Sequence, residues 1–262
     1  MHKELEIIGL IPASGKASRI QPIPCSKEVM PIAFQTMDSG QEAPRVISQN
    51  TVDAYLKAGA SKIFFIIRKG KWDIPNYYGD GSLFGTQMAY LIMNRPYGIP
   101  YTLDQANTYV QNAITLLGFP DMLVDPDDAY KHLVDHLKAV DADVVLGLFP
   151  ILDEVQKTKS DMVEIDEKGA VLDIQVKPES TSLHYSWGMA AWKPSFAYFM
   201  HEYIQEDEKK FIADPEAPET YPGHVILEAA KAGMKVSSVC FDEGSFVDLG
   251  TPVKLKNMFR SN

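Results

Sequence analysis

A loop suited to holding phosphate lies at the start of this chain. Ile7 to Ile11 is a short apolar run (IIGLI) that empties into Pro12-Ala13-Ser14-Gly15-Lys16-Ala17-Ser18-Arg19. Small side chains there let backbone N–H groups approach an anion, and Lys or Arg can complete the cradle. No Asp or Glu falls between Ile7 and Lys27, whereas Lys16, Arg19 and Lys27 all do. On a chain of formal net charge −10, so local a cationic stretch asks for a small anion, phosphate above all. Two acids far apart in sequence, Asp121 and Asp248, each follow an apolar strand-like stretch. Mg²⁺ usually takes one or two carboxylates plus phosphate and water oxygens, so the pair suits that ion once a sheet gathers the strand ends.

These residues need a scaffold that brings distant loops together. Arg45 to Ala58 places Val46, Val52, Tyr55 and Leu56 at helical spacing, Gly59 stops it, and Lys62 to Ile67 (KIFFII) reads as a buried strand. Strand, helix, strand is the unit of a parallel sheet with a right-handed crossover. Further on, Leu103 to Leu117 reads as a helix and Gly118 to Leu123 as a short element running up to acids. Asp127 to Ala139 is a helix and Asp143 to Phe149 a strand. Met162 to Ile165 and Ala170 to Val176 form a hairpin about the turn Asp166 to Gly169. Gly188 to Trp192 is a strand, Pro194 to Ile204 a helix, and the polar, Pro-bearing Gln205 to Pro222 a long loop or flap. A helix from His224 to Ala232, a strand from Lys235 to Phe241 and a helix from about Pro252 complete the pattern. With no repeat and no dividing linker, residues 1–262 read as one α/β domain carrying an inserted hairpin.

The acidic balance argues against nucleic-acid binding, which rests on broad Lys/Arg neutralisation of phosphates. Cys25 and Cys240 provide no disulfide framework and suit a reducing cytoplasm. Acids ahead of a short apolar run are not the pattern of a signal peptide, and no stretch approaches the ~20 apolar residues of a membrane span. A soluble, cytoplasmic protein without membrane partners is therefore expected.

The order of segments resembles the sugar-1-phosphate nucleotidylyltransferases, the family of glucose-1-phosphate thymidylyltransferase. GLIPASGKASRI followed by PCSKEVMPI is similar to G-x-x-L-A-G-G-x-G-T-R-L and P-K-x-L-x-P. PYTLDQA (Pro100 to Ala106) resembles P-x-G-x-A-Q-A, and GFPDML (Gly118 to Leu123) resembles the L-G-D strand end. VEIDEKGAVLDIQVKP (Val163 to Pro178) resembles the hairpin ending in E-K-P, and FVDLGTP (Phe246 to Pro252) resembles W-x-D-I-G-T-P. The likeness spans nearly the whole chain. It implies a Rossmann-like three-layer α/β/α fold with a mostly parallel central sheet and acceptor-binding insertions around 150–222.

The resemblance also implies an activity: condensation of a nucleoside triphosphate, dTTP or UTP favoured, with a sugar 1-phosphate, releasing pyrophosphate. Arg19 and Lys27 would lie on the triphosphate. Ile11, Ala13, Ser14, Gly15 and Lys16 would line the nucleotide, with Gln105 near the base. Asp121 and Asp248 would bind the Mg²⁺ bridging the phosphates. Lys177 would grip the phosphate of the acceptor, and Trp187 and Gly188 would line its pocket. A homo-oligomer is compatible with family habit, and little length after Asn257 remains for a regulatory or β-helix domain. Departures from the pattern are informative. Ser14-Gly15 stands for paired glycines, and Ala17 for the next glycine, where a positive φ would be strained. Val176 replaces the acid before Lys177 that contacts sugar hydroxyls, and Asp161-Met162 replaces Tyr-Gly.

Those departures keep two other readings open. One is a cytidylyltransferase acting on phosphocholine or a phosphonate, with an aromatic cage from Tyr185, Trp187 and Trp192. The other is a non-catalytic nucleotide-sensing protein of the same fold. Cys25 lies in a cationic segment that could lower its pKa, but no neighbouring His or acid completes a relay. His132 and His136 lack the Glu of an H-E-x-x-H site and read as a solvated helix face, while Asp125, Asp127 and Asp128 read as helix caps.

Overall fold

Burial on both sides decides which apolar runs become sheet. The computed structural model describes residues 4–36, 40–94 and 97–261. In chain order it contains β1 (Glu6–Ala13), β2 (Pro31–Thr36), β3 (Glu42–Val46), α1 (Gln49–Lys57), β4 (Lys62–Ile67), α2 (Asp73–Tyr78) and β5 (Gln87–Ile92). There follow α3 (Ile99–Asp104), α4 (Asn107–Val110), β6 (Ala113–Gly118), β7 (Met122–Asp125), α5 (Ala129–Ala139), β8 (Val144–Pro150) and α6 (Glu154–Lys157). The chain ends with β9 (Asp161–Ile165), β10 (Val171–Val176), β11 (Tyr185–Trp192), α7 (Pro194–Ala213), α8 (Pro222–Lys231), β12 (Val236–Cys240), β13 (Ser245–Asp248) and α9 (Pro252–Ser261).

A nine-stranded sheet runs β10-β9-β11-β6-β1-β4-β5, with β8 and then β12 attached to the other edge of β11. β1 lies parallel between β4 and β6, β5 is parallel to β4, and β12 is parallel to β8. β11 runs against β6, β8 and β9. The sheet is therefore mostly parallel, with β11 and the hairpin strand β10 reversed. Strands covered on both faces carry unbroken apolar runs, as KIFFII does. Ile8, Leu10, Phe64 and Ile66 pack with Tyr101, Phe196 and Val225 of α3, α7 and α8 on one face. Ile11, Ile63 and Phe65 pack with Val52, Ile74 and Leu133 of α1, α2 and α5 on the other. That is the three-layer α/β/α arrangement.

Three sequence expectations give way here. Leu103 to Leu117 is not one helix: α3 and α4 are short, and Ala113–Gly118 is β6, buried along its length beside β1. A short run such as ITLL satisfies either period, and its place in the sheet decides. The helix expected from Arg45 starts only at Gln49, because Glu42–Val46 pairs with β2 in an antiparallel ribbon. Gln205 to Pro222 is not all loop. α7 continues to Ala213 behind a polar outer face, anchored by Phe211, whose ring stacks on Tyr97 with centroids 4.2 Å apart.

Candidate active site

The parallel strands β1, β4, β5 and β6 all point their carboxyl ends at one cavity of about 840 Å³, the usual ligand position of an open α/β sheet. Ser14, Gly15, Lys16, Ser18 and Arg19 follow β1 along its wall, Arg68 and Lys69 follow β4, Met93 and Asn94 follow β5, and Phe119 to Asp121 follow β6. Of the residues singled out in the sequence, Ser14, Gly15, Lys16, Arg19, Lys27, Asp121 and Asp248 line this space.

Asp121 and Asp248 meet through a small antiparallel ribbon. β7 pairs with β13 so that Met122 faces Asp248, and the Leu249 N–H donates to the Asp121 carbonyl at 2.8 Å. The point of convergence is Gly250. A Cβ added there would lie 2.8 Å from Asp248 Oδ1, 2.9 Å from Asp121 Oδ2 and 3.5 Å from Arg19 Nη2. A side chain at this position would press directly on both carboxylates and displace them. Lys27 Nζ donates to Asp121 Oδ2 at 2.5 Å. Burial works against the Lys27 charge, but Asp121, with Glu28 and Asp248 beyond it, outweighs that and raises its pKa above the ordinary lysine value.

Lys27 is itself held from behind. The next residue, Glu28, is fully buried and accepts from Lys71 Nζ at 2.7 and 2.8 Å. Burial raises the Glu28 pKa and lowers that of Lys71, and the ion pair opposes both shifts. Removing one partner of such a pair leaves a buried charge uncompensated. The pair therefore pins the one-turn helix Lys27–Val29 that presents Lys27.

Two oxygen donors beside a phosphate-sized space suit Mg²⁺, which completes an octahedron with phosphate and water. Among the described residues no group of three or more His, Cys, Asp or Glu gathers as an all-protein metal cage. The donor chemistry of Asp121 and Asp248 is thus of the kind that relies on a substrate for its remaining ligands.

In the loop after β1, Ala17 adopts φ 52°, the left-handed region that favours glycine. The strain anticipated from its sequence is therefore present. Ser14 Oγ lies 3.2 Å from Thr102 Oγ1 on α3, tying the loop to the opposite wall. That wall has two origins. Gly98 stands so close to Thr220 that an added Cβ would be 2.1 Å from the Thr220 carbonyl oxygen, and Thr220 N–H donates to the Tyr97 carbonyl. Thr220 Oγ1 is further bonded to Asp207 and Lys210 of α7. Gly98 and Glu219 consequently border the same cavity.

The acceptor candidates sit apart from it. Lys177, Trp187 and Gly188 do not line the cavity, although the ring of Phe119, which does, lies 6.2 Å from that of Trp187. Lys177 is exposed, has a left-handed φ of 45°, and places Nζ 3.7 Å from the centre of the Tyr221 ring. Gly188 lies at a bulge of β11 against the ring of Phe246, two residues before Asp248. Asp161, the cross-strand partner of Val176, lies under the start of α8: an added Cβ on Gly223 would come 2.7 Å from its Oδ2. Burial raises the Asp161 pKa, and Lys177, Trp187 and His224 pull the other way without cancelling it.

Other sequence candidates are placed elsewhere. Ile11 and Ala13 are buried in the core and do not line the cavity. Gln105 is exposed at the end of α3, donates weakly to the Tyr101 carbonyl, and does not line the cavity. Tyr185 and Trp192 stand at opposite ends of β11, ~23 Å apart at ~3.3 Å per residue, so they cannot cage one ammonium with Trp187. Burial, with Asp73 and Glu28, raises the Cys25 pKa, the opposite of activation. His136 is not on a solvated face: its Nε2 meets Ser237 Oγ at 2.9 Å. The acids before α5 are not caps by side-chain hydrogen bond; Asp128 holds the N-cap position without one, and Asp127 pairs with Lys57. Arg68 and Lys69 were not among the sequence candidates. The signal for them is the RKGK run at the carboxyl end of a buried strand, the same pattern that marks the first loop.

Comparison with known proteins defines the class. The family model described as nucleotidyl transferase matches residues 8–260, and the chain belongs to that family. The low-salt glycan biosynthesis nucleotidyltransferase Agl11 of Haloferax volcanii is 23% identical over 192 residues, covering 71% of this chain and 49% of the relative. The chain thus spans about half the length of the curated relative it matches. Among solved structures, a protein described as a glucose-1-phosphate thymidylyltransferase from Bacillus anthracis, in complex with a sucrose, superposes with TM-score 0.77 at 18% identity, covering 97% of this chain and 94% of that one. A UDP-glucose pyrophosphorylase complexed with UDP-glucose gives TM-score 0.78 at 15% identity, covering 98% of each chain. Both likenesses are of fold. No helix among the described residues is long and apolar enough to cross a membrane.

Proposed function

We propose that this chain transfers a nucleotidyl group from a nucleoside triphosphate to a sugar 1-phosphate. The observation that carries the reading is the convergence of Asp121, Asp248 and Arg19 on Gly250, with Lys27 bonded to Asp121, at the mouth of the cavity. A phosphate oxygen of the acceptor attacks the α-phosphorus, a new P–O bond forms, and the bond to the bridging oxygen breaks. Its electron pair leaves with pyrophosphate. Positioning and charge stabilisation are the main contributions to such a transfer. Arg19 and Lys27 hold the triphosphate and the charge that develops on the leaving oxygens, and Lys177 orients the acceptor phosphate. Asp121 and Asp248 would hold a Mg²⁺ ion, which would supply charge neutralisation for the phosphates.

A thymidylyl or uridylyl donor is favoured by the names of the two structural relatives, one a thymidylyltransferase and one bound to UDP-glucose. The test is pyrophosphate release, measured with each of the common triphosphates against a panel of sugar 1-phosphates and phosphocholine. Release with dTTP or UTP and a sugar 1-phosphate is expected. Release with CTP and phosphocholine alone would replace the acceptor assignment, and no release with any pair would leave a nucleotide-sensing protein.

A further inference from the structure

Lys177 is the first residue past β10, and its left-handed φ of 45° is a conformation that a residue with a Cβ avoids unless its surroundings impose it. Two groups hold it. The Asp161 carboxylate, across the hairpin from Val176, draws on the Lys177 backbone N–H. At the far end of the side chain, Nζ sits 3.7 Å from the centre of the Tyr221 ring. A cation over an aromatic face is attracted by the ring quadrupole. Among the described residues Lys177 has no ion pair, so the ring is what fixes its head.

That choice of anchor has a chemical consequence. A carboxylate in the same place would neutralise the ammonium and compete with an incoming phosphate. A neutral ring holds the ammonium from one side and leaves its charge and N–H donors free on the other. Tyr221 is itself firmly placed. It precedes α8, whose Pro222 and Gly223 are buried, and follows Thr220, which is bonded to Asp207 and Lys210 and meets Gly98. Glu219, two residues before Tyr221, borders the large cavity, and two residues of chain reach at most ~7 Å. We infer that Tyr221 is a positioning residue, holding the Lys177 ammonium unneutralised near the edge of the large cavity for the phosphate of the acceptor. The inference rests on the proposed transfer, in which Lys177 orients that phosphate.

The test sets Y221L against Y221F in the full chain. Y221L removes the ring face, and the Tyr221 side chain makes no capping hydrogen bond to α8 that the change would lose. With a triphosphate and sugar 1-phosphate that support pyrophosphate release, Y221L should raise the KM for the acceptor about threefold and leave that for the triphosphate in place. Y221F, which keeps the ring, should restore the wild-type constant. In a K177A background Y221L should add nothing, because the ring acts through that lysine. Equal losses in Y221L and Y221F, a joint rise of both KM values, or full additivity with K177A would overturn the inference. A second readout needs no turnover. After reductive methylation with carbon-13 formaldehyde, the dimethyl resonance of Lys177, assigned by its loss in K177R, should be displaced upfield by the ring in wild type and Y221F. In Y221L it should return to the position of solvent-exposed lysines, and inorganic phosphate should perturb it only at about threefold higher concentration. A wild-type resonance already among the exposed lysines would overturn the inference whatever the activity. If the resonance behaves as expected but no substrate pair releases pyrophosphate, the transfer reading falls and the ring-anchored, phosphate-binding lysine stands.

Discussion

The proposed phosphate side and the proposed acceptor side of this molecule are built by different rules. On the phosphate side, regular parallel strands end together, and each loop delivers a charged group to a common point. Arg19 and Asp121 follow β1 and β6, Asp248 ends β13, Lys27 is presented by the one-turn helix Lys27–Val29, and the four gather around Gly250. On the acceptor side, the sheet is interrupted. β11 bulges at Gly188, Lys177 takes a strained φ, and Asp161 reaches its place from the strand opposite Val176. The proposed phosphate groups are charges held at fixed positions, whereas the proposed acceptor groups are neighbours only across strands.

Substitutions that separate the two sides give the sharpest tests. Asp248→Asn removes a carboxylate from the convergence point, and turnover measured by pyrophosphate release should fall by roughly 10²–10³-fold with the fold intact. Arg19→Ala should follow with a loss of roughly 10²-fold, again on the phosphate side. Lys177→Ala should raise the KM for the acceptor about tenfold while the KM for the triphosphate stays put. If both constants rise together, the division into two sides is wrong.

The last two effects are on stability. Burial raises the folded pKa of Asp161, so its contribution is fully present below the unfolded value and is lost as pH rises through the folded one. Asp161→Asn should therefore gain Tm relative to wild type between pH 4 and pH 7. A difference that does not change with pH would remove Asp161 from the buried set. Ala17→Gly relieves a left-handed alanine at the entropic disadvantage of glycine, for a net gain below about 1 kcal/mol by chemical denaturation.

The phosphate side was legible because its signals are local. A small-residue loop after IIGLI, flanked by Lys16, Arg19 and Lys27, carries its chemistry within twenty-odd residues. Asp121 and Asp248 were recognisable by motif, yet the β7–β13 ribbon that joins them is a long-range pairing of two short strands with weak patterns of their own. β6 was hidden because four apolar residues fit a helix or a strand, and only neighbouring β1 decides between them. On the acceptor side, Val176 looked like a lost acid, while the carboxylate of Asp161 stands across the hairpin from it. Cross-strand register of that kind is set by the fold and is not carried by either residue alone. Arg68 and Lys69, by contrast, follow the rule already applied to the first loop and needed only its second use.

The backbone contact between Gly98 and Thr220 ties selectivity to architecture. Two segments more than a hundred residues apart are fused at one end of the large cavity, with Thr220 anchored to Asp207 and Lys210 of the long helix α7. The linker 214–221 is therefore a tuning element as well as a connection. Editing its length would move Gly98 and Glu219 at the cavity wall while leaving Arg19, Lys27, Asp121 and Asp248 where they are.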